Sequence, residues 1–137
     1  MTLSPEQIAE VQATRYNATV TRLHHIHTDL MVMRVKPDFP RPKYHAGQYC
    51  TLGLANFEPR VTGCQEETLK PEEWPKLVRR SYSISHSLYA DGTDRIRDGN
   101  EDDWLEFYIV LVRENLDGRV PALTPRLFGL HEGSRLQ

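Results

Sequence analysis

Leu105, Phe107, Ile109 and Leu111 put an apolar side chain at every second position of one short run. A period of two belongs to a β-strand with one face against a core, whereas an α-helix would spread those four side chains around its circumference. Other runs read the same way. Residues 16–23, 29–35 and 48–54 are rich in β-branched or large apolar types, the third entered by Gly47, and residues 80–87 form a fourth candidate strand. Pro37, Pro40 and Pro42 break the chain after the second run, and the acidic, turn-rich stretch 91–103 separates the last two. Five strands with polar connections and little helix predict an antiparallel barrel or sandwich.

Helix signals are confined to two places. Ser4-Pro5-Glu6-Gln7 supplies an N-cap, a proline at the first helical position and a glutamine three residues on, so a short helix is expected over residues 4–13. Near the other end, Thr124 reads as an N-cap and Pro125 as the first helical residue of a short helix to Leu130. Leu127 and Leu130 then face inward, and Arg126 adds positive charge to the first turn. Residues 56–79 hold Pro59, Gly63, Pro71 and Pro75 without a sustained period. A connection that long usually carries a turn of its own, which residues 66–74 can supply.

The 137 residues, 39% hydrophobic and 26% charged, suit one soluble globular domain. A formal net charge of −2 gives no general pull toward nucleic acid or anionic membrane. No apolar run reaches the roughly 20 residues of a membrane span, and no signal-peptide core opens the sequence, so cytoplasm is expected. Cys50 and Cys64 form neither a C-x-x-C pair nor a disulfide framework and read as reduced thiols. His24, His25 and His27 lack a matching cysteine or carboxylate pattern for a metal. Ser83, Ser85 and His86 are sequence neighbours, poor geometry for a nucleophilic triad.

The run Arg80-Ser81-Tyr82-Ser83-Ile84-Ser85 carries the most chemistry. On a strand, Arg80 and Tyr82 share a face roughly 6–7 Å apart. A guanidinium presents a permanent planar fork to phosphate oxygens, and a tyrosine offers a flat ring with a polar tip. A ligand with a phosphate at one end and a flat ring at the other fits that pair.

Arg80-Ser81-Tyr82-Ser83 resembles the R-x-Y-S signature of the ferredoxin–NADP reductase family. Three more segments resemble the family in order. They are His45-Ala46-Gly47-Gln48-Tyr49 continuing to Leu54, Leu105-Glu106-Phe107-Tyr108-Ile109-Val110, and Leu123-Thr124-Pro125-Arg126-Leu127 through Leu130 and Gly133. The closest flavour is the bacterial ferredoxin/flavodoxin–NADP reductases. The resemblance implies an N-terminal arm over residues 1–15 and an FAD-binding domain over 16–137, an all-β, six-stranded antiparallel Greek-key barrel with one short helix after strand five. Ser134 to Gln137 is where its sixth strand begins, so that strand is expected to be truncated, with an open barrel edge available for dimerisation.

Carried over residue by residue, the resemblance gives Arg80 to the FAD pyrophosphate and Tyr82 to the isoalloxazine or ribityl chain. Ser83 goes to the vicinity of the flavin N5, as the catalytic hydrogen-bonding group, and Tyr108 becomes a second aromatic at the flavin. Ser81 lies within the same signature, and Ala122, Leu123 and Thr124 match the loop and helix start that hold the phosphates. The family's full enzymes pass electrons between NADP(H) and ferredoxin or flavodoxin, using a second domain with a glycine-rich nucleotide loop. No G-x-G-x-x-G follows a strand here. This chain alone is therefore expected to bind FAD weakly and not to turn over. The alternative is a stand-alone barrel that no longer binds flavin and serves as an interaction module.

Overall fold

A computed structural model describes residues 3–40, 48–85, 104–115 and 119–137. The sequence readings that fall on 41–47 (the His45-Ala46-Gly47 entry), on His86 and on the acidic 91–103 stretch lie outside the described residues. The elements in chain order are α1 (Pro5–Arg15), β1 (Ala18–His27), β2 (Leu30–Pro37), β3 (Tyr49–Ala55), a 3-10 turn (Pro71–Glu73), β4 (Leu77–Ser83), β5 (Leu105–Val110), α2 (Leu123–Leu127) and β6 (Arg135–Leu136).

All strand pairings among the described residues are antiparallel. One sheet has the order β5-β2-β1-β6 and the other pairs β3 with β4. Backbone hydrogen bonds stitch the two sheets at both margins. Gly53 and Gln137 exchange N–H···O bonds of 3.0 Å in each direction, and the Ser85 N–H donates to Glu106 O at 2.8 Å. Following these bonds gives the circuit β1-β2-β5-β4-β3-β6, a curled antiparallel barrel of Greek-key order. The core is the inward row of each strand: Val20 from β1, Met31 and Met33 from β2, Leu54 from β3, and Phe107 and Ile109 from β5, all but inaccessible to solvent. Leu127 and Leu136 close it from α2 and β6.

The sixth strand is as short as expected, two residues, and with its neighbours it covers part of the expected open edge. Leu136 pairs with Ala18 and Arg135 with Thr19. The Val20 N–H donates to Ser134 O, and the Gly133 N–H to Val20 O, each at 2.8 Å. The β1 edge from Ala18 to Val20 is thus paired, and Gly53 of β3 is paired across the seam. The physical reason is that Leu136 is wholly buried, so two residues of strand suffice to anchor the segment.

The N-terminal helix is capped as its sequence specifies. Ser4 Oγ accepts the Gln7 N–H at 3.2 Å while Gln7 Oε1 accepts the Ser4 N–H at 2.8 Å. Tyr16, next in line, is buried, with its hydroxyl accepting the Ala55 N–H and donating to Glu58 Oε1, both at 2.9 Å. That tie joins the entry of β1 to the exit of β3.

Candidate functional site

The cavity that gathers most of the residues singled out from sequence lies between β4, β5 and the segment leading into α2. It encloses about 540 Å³ and is lined by Arg80, Ser81 and Tyr82 of β4, Tyr108 and Val110 of β5, and Val112, Asn115 and residues 119–124. Arg80, Ser81, Tyr82, Tyr108, Ala122, Leu123 and Thr124, each singled out from sequence, come together in this one wall. Ser83 is the last residue of β4, exposed and opposite Tyr49, and is not among the lining residues.

Each lining group is delivered by a local cause. Phe107 and Ile109 fill the core, so strand alternation turns Tyr108 and Val110 outward, 55% and 60% exposed. With Val112 they make an apolar strip along the cavity. Tyr82 pairs with Cys50 across the β3–β4 ladder and packs partly against the core. Burial pushes its hydroxyl up to about 12, against the opposing pull of the nearby Arg80 charge. Tyr82 therefore stays a neutral ring with an O–H donor at physiological pH. Burial likewise raises the Cys50 thiol above its ordinary value, which keeps it protonated. Arg80 is exposed, with Nη1 donating to Arg79 O at 2.7 Å.

The approach to α2 differs from the sequence reading in two respects. Thr124 is not the N-cap; Ala122 holds that position without a side-chain cap bond. The Thr124 hydroxyl instead accepts the Val112 N–H at 3.0 Å, fastening the start of α2 to the end of the β5 strip. Arg126 is 2% exposed and turned away from the cavity. It is ion-paired with Glu67 and donates to Ala122 O and Asn56 O, both at 2.8 Å. A buried cation needs such a partner, and Glu67 comes from the long 56–79 connection. Arg60 of the same connection donates to Pro121 O at 2.7 Å and to Gln65 O at 2.9 Å. Sequence reasoning missed Val110, Val112, Asn115, Arg119, Val120 and Pro121 as lining residues. The outward alternation of Val110 and Val112 was the available signal.

The His24–His27 cluster lies elsewhere. His25 packs its ring 5.8 Å from that of Phe128, and His27 Nδ1 accepts the Asp29 N–H at 3.3 Å. Cys50 and Cys64 are free thiols. No helix among the described residues is long and apolar enough to cross a membrane.

Comparison with known proteins bears on the architecture. No family model matches the sequence, and no curated protein does. Among solved structures, the chain is similar to a ferredoxin NADP+ reductase from Neisseria gonorrhoeae with bound FAD and NADP. The TM-score is 0.51 at 15% identity, over 90% of this chain and 36% of that one. The cytochrome b5 reductase domain of Ulva prolifera nitrate reductase aligns with a TM-score of 0.49 at 13% identity, over 89% of this chain and 39% of that one. The first likeness establishes the fold, a barrel of the kind found in that ferredoxin NADP+ reductase. The chain spans a little over a third of the gonococcal enzyme's length.

Proposed function

We propose that this chain is the FAD-binding domain of a ferredoxin (flavodoxin)–NADP reductase. The observation that carries the reading is convergence. A guanidinium, two aromatic rings, an apolar strip and a helix start, drawn from three separate segments, line one cavity of about 540 Å³. Those are the groups that a dinucleotide with a flat ring and a diphosphate calls for. The residues present fit FAD by the chemistry of their donor set.

In this reading, Arg80 neutralises the diphosphate, and Tyr82 and Tyr108 hold the ring by its faces. Ala122, Leu123 and Thr124 meet the phosphates with backbone N–H groups. Val110 and Val112 keep water from the ring. The exposed Ser83, following Tyr82 in the chain, is assigned the hydrogen bond to the reacting edge. FAD, when bound, supplies hydride acceptance and single-electron release, while the protein supplies placement and electrostatics. NADP(H) and an iron–sulfur or flavin carrier are the partners of the complete enzyme. The two free thiols accord with a reducing compartment, which we take to be the cytoplasm.

A titration of the chain with FAD, followed by flavin fluorescence, tests the proposal. Saturable quenching that weakens in Arg80→Ala and is lost in Tyr82→Ala is expected. Linear, non-saturable quenching that both variants reproduce contradicts it and favours a barrel without flavin function.

A further inference from the structure

The wall formed by residues 121–124 has a back as well as a front. In front lies the cavity that holds Arg80 and Tyr82. Behind it, Arg60 and Arg126 line a separate depression of about 260 Å³ with Glu67 and Trp74. Arg60 Nη2 donates to Pro121 O at 2.7 Å and Arg126 Nη1 donates to Ala122 O at 2.8 Å. Two consecutive carbonyls are therefore drawn to the same side of the wall.

A trans peptide unit points its C=O and its N–H in opposite directions. The described residues contain no cis bond. The unit that carries Pro121 O also carries the Ala122 N–H, and the unit that carries Ala122 O also carries the Leu123 N–H. Both carbonyls are held by arginines that do not line the cavity, so both N–H groups point away from Arg60 and Arg126. Among the described residues, neither N–H has a hydrogen-bond partner. Their direction is set by the two peptide planes; α2, at five residues, is little more than a single turn and adds little dipole.

We propose that Arg60 and Arg126 are positioning residues for the diphosphate of the bound dinucleotide. They do not touch the ligand. They fix the Ala122 and Leu123 N–H groups as a paired anion donor in the cavity that Arg80 also lines. The role of Arg126 is geometric, because Glu67 already balances its charge. The long 56–79 connection, which supplies both Arg60 and Glu67, thereby becomes part of the phosphate site without contacting it. The inference rests on the reading of this cavity as an FAD site.

The test compares FAD with riboflavin, which has the ring but no phosphate, in the wild-type chain and in Arg60→Gln, Arg60→Lys and Arg126→Lys. Releasing either carbonyl, and with it one oriented donor, should weaken FAD about fivefold while riboflavin changes less than about twofold. Arg60→Lys, which retains one donor for Pro121 O, should recover part of the FAD affinity. Independently, inorganic pyrophosphate should shift the Ala122 and Leu123 amide resonances of the wild type, and shift them less in Arg60→Gln. That measurement decides the matter even if Arg126→Lys fails to fold. Equal loss of FAD and riboflavin, or unmoved amides in a wild type that binds FAD, overturns the positioning role and leaves the flavin reading standing. A wild type that binds neither flavin overturns both.

Discussion

Tyr16→Phe isolates the tie between the entry of β1 and the exit of β3. The ring is buried and its packing survives the substitution; only the hydroxyl goes. Ala55 is wholly buried, and its N–H loses its acceptor. A buried donor left without a partner costs about 1–3 kcal/mol. Glu58 loses one donor, but it keeps the Gln12 side-chain amide at 3.1 Å and is only part-buried, so water compensates most of that loss. The net expectation is a loss of about 2 kcal/mol in urea unfolding with an unchanged m-value, and a Tm lower by several degrees, on the order of 5–10 °C. Glu58→Gln, which leaves the Ala55 bond in place, should cost under about 1 kcal/mol. If Tyr16→Phe loses less than about 0.5 kcal/mol, or no more than Glu58→Gln, the buried N–H is not what makes this tie matter.

Three further outcomes follow from the geometry. Leu136 is wholly buried, so Leu136→Ala should cost about 2–5 kcal/mol in urea unfolding; a cost under about 1 kcal/mol would show that β6 is not part of the core. Hydrogen bonding to Arg113 lowers the Asp29 carboxyl, so its contribution is present above the unfolded value of about 3.9 and is lost as pH falls through the lower folded value. The urea midpoint of the wild type should therefore drop further below about pH 4 than that of Asp29→Asn, and parallel acid limbs would refute the pairing. The Tyr82 hydroxyl, raised by burial to about 12, adds stability that is full below the unfolded value of about 10 and is lost as pH rises through 12. The phenolate absorbance missing from Tyr82→Phe should appear near 12, and its appearance near 10 would place the ring in open solvent.

Much of this architecture was legible because it rests on local rules. Alternation at Leu105, Phe107, Ile109 and Leu111 fixes which side of β5 faces the core, and the same rule turns Tyr108 outward to the cavity. The Ser4–Gln7 reciprocal cap lies within four residues and needs nothing else. Element ends were harder. Irregularities between Val20 and Arg22 and between His25 and His27 let β1 run on to His27, and cross-strand pairing with Leu54 and Ala55 extends β4 back to Leu77. Pairings far apart in sequence left no local trace. Arg126 reads only as positive charge in the first turn until Glu67, fifty-nine positions away, is brought to it. Thr124 looks like a cap until its hydroxyl is claimed by Val112. In both cases tertiary contacts override a helix-end rule.

A crystal structure of the chain grown with FAD would locate the dinucleotide on the barrel. The flavin ring is expected against Tyr82 and Tyr108, with the diphosphate between Arg80 and the Ala122–Leu123 backbone. Dinucleotide density elsewhere, for instance in the cavity lined by Asn17, Phe39 and Phe107, would contradict it, as would a fully formed site that stays empty at saturating FAD.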